Sequence, residues 1–172
     1  MSKENAFLKL AKERYSCRGF KDEAVSEEDI ASILEAARVA PSAVNRQPVH
    51  VWAVLSGDRR TALKDATPYT FDAPVIFVVG CREEDAWVRK YDGFNSAGED
   101  AAIVGTHIML QAADLGLGTT WVGSFDPAKV LQAIPEMKGW IPYALFPCGH
   151  PAVAPSERHG IRKSVSEFMT VI

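Results

Sequence analysis

What this chain lacks narrows its chemistry first. Cysteine is scarce: Cys17, Cys81 and Cys148 are odd in number, widely spaced and without a Cys-x-x-Cys pair, so no disulfide framework or thiolate zinc cluster is encoded. That usage suits a reducing cytosol, and a cytoplasmic location is the expectation. No window reaches the roughly 18 uninterrupted apolar residues that a membrane span needs. The first ten residues carry Lys3, Glu4 and Lys9 where a signal peptide has its apolar core. Charge of one sign is missing too: 19 Lys and Arg against 22 Asp and Glu leave a net −3, which points to neither nucleic acid nor an anionic membrane as partner. Any anion site must therefore be local. The chain also has no Gly-x-x-x-x-Gly-Lys-Ser/Thr loop, no His-Glu-x-x-His and no Gly-x-Ser-x-Gly, which removes the commonest nucleotide hydrolase, metalloprotease and serine hydrolase readings.

What is present is an ordinary globular composition, 47% apolar and 24% charged. A chain of this length falls within one domain and buries roughly 70% of its unfolded surface. With no linker, repeat or low-complexity tract, residues 1–172 read as a single domain.

Periodicity predicts a helix over 4–15 with Phe7, Leu8, Leu10 and Ala11 as its apolar stripe. A second helix opens at Ser26, with Asp29 in a capping-box position and Ile30, Ile33, Leu34 and Ala37 facing inward until Pro41. Residues 49–55 read as a strand, 58–66 as a short helix, and 74–80 as a strand apolar on both faces. Residues 88–98 show no period and read as a loop or short excursion. The longest periodic run, 99–117, is the predicted central helix, with Ala101, Val104, Ile108, Ala112 and Leu115 on one face. An extended segment at 119–123, a helix opened by Asp126 and Pro127, a strand at 142–149 and a tail at 165–172 complete the pattern. Strands do not alternate strictly with helices, so the fold class is α+β: a central mixed or antiparallel sheet flanked by helices.

Three blocks carry chemical suggestion. In Arg14-Tyr15-Ser16-Cys17-Arg18, an extended backbone turns residues 14, 16 and 18 to one face and makes an anion-binding edge of two guanidiniums and a hydroxyl. A solvated basic turn explains the same residues. Pro41-Ser42-Ala43-Val44-Asn45-Arg46-Gln47-Pro48 is turn-rich, but its amides also suit a planar heterocycle with alternating carbonyl and N–H groups. Gly116-Leu117-Gly118 follows a helix and opens an extended segment, the reverse of a dinucleotide-binding glycine loop, so the Rossmann reading fails. His107 lies among apolar neighbours in the central helix and reads as a satisfied core histidine.

These blocks, in this order, resemble the FMN-dependent nitroreductase family: Arg-x-Ser-x-Arg at 14–18, Pro-Ser-Ala-x-Asn-x-Gln-Pro at 41–48 and Gly-Leu-Gly-Thr-Thr-Trp-Val-Gly at 116–123. Gly149-His150-Pro151 and Arg162-Lys163 are weaker matches. Val49 and Tyr15 depart from the residues usual in that family, and the short 88–98 interval leaves little room for the insertion that covers longer members' active sites.

The resemblance implies a nitroreductase-like, intertwined homodimer that binds FMN at two interfacial sites. Arg14 and Ser16 hold the phosphate and ribityl chain, with Arg162 and Lys163 closing around the phosphate. Arg18 reaches the pyrimidine edge and tunes the ring, the flavin itself doing the chemistry and no metal taking part. Pro41, Ser42, Ala43, Asn45 and Gln47 approach from the other protomer. Trp121, Val122 and Gly123 lie against the ring, a backbone N–H of Val122 or Gly123 facing its hydride-accepting nitrogen. The implied activity is ping-pong hydride transfer from NADH or NADPH through FMN to a nitroaromatic, quinone or related small-molecule acceptor. Alternatives are a non-catalytic FMN storage or sensor protein, or a family variant that dehalogenates phenols, reduces activated alkenes or fragments flavin. Phe71, Trp87, Tyr91 and Phe94 are further candidates to shape the pocket, and the tail 165–172 is a candidate arm to a second copy.

Overall fold

The computed structural model describes residues 4–172. Its helices are α1 (Ala6–Glu13), α2 (Glu27–Arg38), α3 (Gly57–Leu63), α4 (Ala97–Asp114), α5 (Pro127–Ala133) and α6 (Val165–Phe168), and its strands are β1 (Val49–Val54), β2 (Val75–Cys81), β3 (Gly118–Thr119) and β4 (Ile141–Gly149). The strands form one antiparallel sheet in the order β1-β2-β4-β3.

β2 is apolar throughout because it lies between two strands and under helices on both faces. Its period of two divides the core: Val75, Phe77 and Val79 join Ile33 of α2 and Ile108 of α4 on one face. Ile76 and Val78 join Leu63 of α3, Val130 of α5, Ile134 and Met137 on the other. All eleven of these side chains are essentially inaccessible, each contributing about 1.5–3 kcal/mol through burial. Three layers result: α2 and α4, the sheet, then α3 and α5.

α2 starts where its capping chemistry says it should. Ser26 Oγ accepts from the Asp29 N–H (3.0 Å) and donates to the Asp29 carboxylate (2.7 Å), and Glu27, Glu28 and Asp29 suit the positive helix end. The helix stops at Arg38, three residues before Pro41. α5 is capped by Asp126, whose carboxylate accepts from the Ala128 and Lys129 N–H groups, with Pro127 at its first position.

One expectation, His107 in the core, is corrected, and two others become specific. The α1 stripe is not core: no residue of α1 is buried, and Phe7 keeps 64% of its surface in solvent. The 88–98 segment is a closed excursion: Val88 bridges to Asn95, Arg89 pairs with Asp92 (2.7 Å), and the Asn95 amide donates to the Glu83 carbonyl (2.9 Å). His107 is half-buried rather than core, its Nδ1 2.8 Å from the Ile103 carbonyl oxygen one turn back.

The tail does not pack on its own domain, since every residue from 160 to 172 is exposed, including Phe168, Val171 and Ile172.

Gly105 of α4 is required by close approach. A Cβ built there collides with the Phe146 ring and lies 2.9 Å from Trp121 Cζ3. Gly105→Ala is therefore expected to cost about 1–3 kcal/mol by overpacking, seen as a lower urea midpoint at unchanged slope.

Candidate functional site

The arginine edge is stitched to the sheet by backbone. The Cys17 N–H donates to the Thr119 carbonyl (2.9 Å), and Ser16 bridges Thr119 in parallel, extending the sheet beyond β3. Cys17 is fully buried and faces inward, while Arg14 and Ser16 are partly exposed and Arg18 is exposed, as alternation predicts.

Residues 118–124 line two clefts in succession. The first, of about 160 Å³, is bounded by Gly118, Thr119, Arg14, Tyr15 and Pro151. The second, of about 310 Å³, is bounded by Thr120, Trp121, Gly123, Arg18, Tyr69 and Phe71.

The first cleft holds one guanidinium, Arg14, and one carboxylate, Glu13, which do not pair with each other among the described residues. Burial, and then the neighbouring Arg162, push the Arg14 guanidinium pKa down from its ordinary value. Among the described residues Arg14 makes no side-chain hydrogen bond or ion pair, and Arg162 donates only to the His159 (2.5 Å) and Ile161 (2.8 Å) carbonyls. Glu13 in the same cleft is turned to Lys9 at 3.9 Å. Lys163, next in the chain, is exposed. The segment bearing Arg162 is seated by the His159 ring, Nε2 to the Lys12 carbonyl (2.9 Å), and by the Tyr15 hydroxyl, which donates to the Val153 carbonyl (2.7 Å). Two adjacent guanidiniums with no acid partner form a cradle for a multiply charged anion, and phosphate matches that donor set.

The second cleft has an aromatic wall and a polar rim. Trp121 stands edge-on to Phe146, ring centroids 4.9 Å apart, so a core residue sets its angle. Tyr69 and Phe71 face across with centroids at 6.1 Å, and Arg18 donates to the Ser16 carbonyl at 3.2 Å. Phe71 and Asp72 both take positive φ, 51° and 52°, a left-handed pair stored beside the cleft. Residues 66–71 are tied to this wall by the Thr67 hydroxyl, which donates to the Ser124 carbonyl (2.7 Å), and by the Asp126 N–H to the Ala66 carbonyl (2.9 Å).

One site expectation is narrowed. The Val122 N–H donates to the Leu145 carbonyl (2.9 Å) and Val122 is buried, so it cannot face a ligand. Among the described residues the Gly123 N–H makes no backbone hydrogen bond, and Gly123 lines the second cleft.

The amide block lies apart. Ser42 and Gln47 line a third cleft, of about 380 Å³, with Arg38, Val49, His50 and Val104; it shares no residue with the other two. Pro41, Ala43 and Asn45 sit in the same loop. The Ser42 hydroxyl accepts from the Gln47 N–H (2.9 Å), and Asp100 Oδ1 accepts from the Ala43 N–H (2.8 Å). Of the predicted pocket aromatics only Phe71 reaches a cleft described here; Tyr91, 84% exposed, does not. Tyr69, Thr120 and Asp100 escaped sequence reasoning. Tyr69 and Phe71 do leave a signal, two aromatics two apart in an unperiodic stretch.

The family model of the nitroreductase family matches residues 11–69 and 66–150. A Methanothermobacter thermautotrophicus protein given the provisional name NADH dehydrogenase/NAD(P)H nitroreductase is 35% identical over 160 residues, 88% of this chain and 80% of that one. A Bacillus subtilis protein named FMN reductase (NAD(P)H) is 28% identical over 167 residues, 86% of this chain and 67% of that one. Among solved structures, a nitroreductase family protein from Clostridium difficile 630 superposes with a TM-score of 0.89 at 32% identity, covering 97% of this chain and 98% of that chain. A provisionally assigned nitroreductase from Desulfovibrio desulfuricans, crystallised with FMN, gives 0.82 at 28% identity, covering 99% and 98%. The chain belongs to the nitroreductase family.

Beneath the site lie inert thiols. Burial, then Cys17 and Asp29, push Cys148 up to about 12; burial, then Glu83, Asp100 and Glu84, push Cys81 up to about 11. Both folded values lie above the ordinary 9.0, so this contribution to stability is complete below that pH and is lost as pH rises through about 11 and 12. Stability measured by urea unfolding is expected to fall above that ordinary value, and neither thiol should react with an aromatic disulfide reagent in the native protein at neutral pH.

Proposed function

We propose that this chain is an FMN-dependent oxidoreductase that works as a homodimer, taking electrons from NADH or NADPH and passing them to a small-molecule acceptor of the nitroaromatic or quinone kind. The observation that carries the reading is the pair of guanidiniums, Arg14 and Arg162, which have no acid partner among the described residues, beside a cleft that is followed along residues 118–124 by a second one lined by Gly123. When bound, FMN accepts hydride from the nicotinamide and returns two electrons to the acceptor.

The chain's own residues bind and orient. Arg14, Ser16, Arg162 and Lys163 hold the phosphate and the sugar-alcohol chain. Arg18 lines the second cleft, where it would stabilise extra negative charge on the pyrimidine edge of the bound ring. Trp121 would support one face of the ring, and the Gly123 N–H would offer it a hydrogen-bond donor. Trp121 is 36% exposed and the cleft is open on that side, which leaves room for a donor and an acceptor to use the same place in turn.

Pro41, Ser42, Ala43, Asn45 and Gln47 share no cleft with this edge in one chain, so they serve the site of a second copy. The exposed tail 165–172 and the uncovered apolar residues of α1 supply surface for that copy. All of residues 1–172 then belong to one FMN-binding domain.

The first test is colour and bleaching: the purified protein, reconstituted with FMN, should be yellow and lose its visible band when mixed anaerobically with NADH or NADPH. A bound flavin that stays oxidised contradicts catalysis and supports storage. Arg14→Ala should weaken FMN binding by about 1.5–3 kcal/mol, the worth of a hydrogen bond to a charged group, with the saturated spectrum unchanged. Arg18→Gln should retain FMN and lower its midpoint potential by some tens of millivolts, since about 1.4 kcal/mol corresponds to roughly 30 mV for a two-electron couple. A redox titration with an unchanged or higher midpoint removes Arg18 from that role.

A further inference from the structure

The loop that bears the amide block is strained. Val44, Asn45 and Gln47 take positive φ, 45°, 58° and 53°, and none is glycine. Such residues are strained and persist only where their surroundings hold them. Asn tolerates the left-handed region through its short polar side chain, but a β-branched valine there is an outlier. The loop is nevertheless exposed from 44 to 47, so no packing clamps it.

Hydrogen bonds do: the turn's own Asn45 N–H to the Ser42 carbonyl (3.0 Å) and Arg46 N–H to the Ala43 carbonyl (3.1 Å), the Gln47 side-chain amide to the Asn45 carbonyl (3.3 Å), and two more, of which one reaches outside the loop. Ser42 Oγ closes the loop on the Gln47 N–H, and Asp100 Oδ1 ties the Ala43 N–H to α4, a contact spanning 57 residues of sequence. Asp100 is 1% exposed, and its second oxygen accepts from the Ser96 hydroxyl (2.9 Å), also buried. Each carboxylate oxygen therefore has one neutral donor, and no cation pairs with it among the described residues. A buried acid is costly unless hydrogen-bonded, and its place in the first turn of α4 adds the favourable field of the helix end.

We propose that Asp100 is a positioning residue that holds the 42–47 loop in its ligand-binding conformation. The inference rests on the reading of that loop as part of an FMN site. Without the Ala43 tether the strain is released, the competent conformation becomes a fraction of the population, and apparent affinity falls by that fraction. The loop and the first turn of α4 thus act as one unit, and Asp100 acts through Ala43 without touching ligand.

The test compares FMN binding, the visible circular dichroism of bound flavin and amide exchange in the wild-type chain, Asp100→Ala and Asp100→Asn. Asp100→Ala should weaken FMN binding about tenfold or more, the effect of losing one hydrogen bond to a charged acceptor, and should alter the dichroism at saturation. Asp100→Asn keeps an oxygen for the Ala43 N–H and should restore both. Equal affinity and an unaltered flavin signal in Asp100→Ala overturn the proposal, as does Asp100→Asn behaving like the alanine variant. If Asp100→Ala does not fold, the wild-type apoprotein decides: its Ala43 amide must exchange more slowly than the Val44 amide despite the loop's exposure, and an unprotected Ala43 amide overturns the proposal. A wild-type chain that takes up no FMN sinks the functional reading instead, and Ala43 protection still tests the tether.

Discussion

Two backbone pairings carry the rest of this site: Cys17 with Thr119, and Val122 with Leu145. The first draws an N-terminal segment against β3, a strand of only two residues that it widens. The second folds the chain after β3 back onto β4. Between them residues 118–123 are held from both sides, and main chain carries Arg14 and Arg18 to their places while the Phe146 ring sets the angle of Trp121. Arginines so placed need no acid partner, which leaves their charge available.

The core reaches the site through one line of contact. Phe146 in β4 is fully buried between α4 and the sheet, and its ring sets Trp121 edge-on, while Gly105 leaves the space that both occupy. Packing density transmits such a constraint because buried rings have few alternative rotamers. The opposite face of the sheet, where α3 and α5 pack, contributes through the tether between Thr67 and Ser124. Each layer thus fixes one wall of the cleft.

Much of this was legible in the residues themselves. The capping serine at 26, the doubly apolar strand at 75–81 and the α4 face of Ala101, Val104, Ile108 and Ala112 follow from local patterns, and the structure has them within about two or three residues, as element ends usually allow. What covers the α1 stripe was not legible, because amphipathic spacing says that a face is apolar, not which chain covers it. The Val122 and Gly123 alternatives could not be separated beforehand, since the Leu145 carbonyl that takes the Val122 N–H lies 23 positions away along the chain. Asp100 was invisible for the same reason: an acid in the first turn of a helix ordinarily serves that helix, and nothing nearby in sequence names Ala43 as its partner. The tail's exposure likewise appears only once the domain is folded.

The central claim is that the arginine edge of one copy and the 41–47 loop of another make each site. Mixed dimers test it directly, from co-expression of a chain carrying Arg14→Ala with a chain carrying Ser42→Trp. Each homodimer has a lesion in both of its sites, but a mixed dimer has one site built from an intact edge and an intact loop. The account predicts that isolated mixed dimers recover tight FMN binding at one site while neither parent homodimer does; mixed dimers that bind no better than the parents would contradict it.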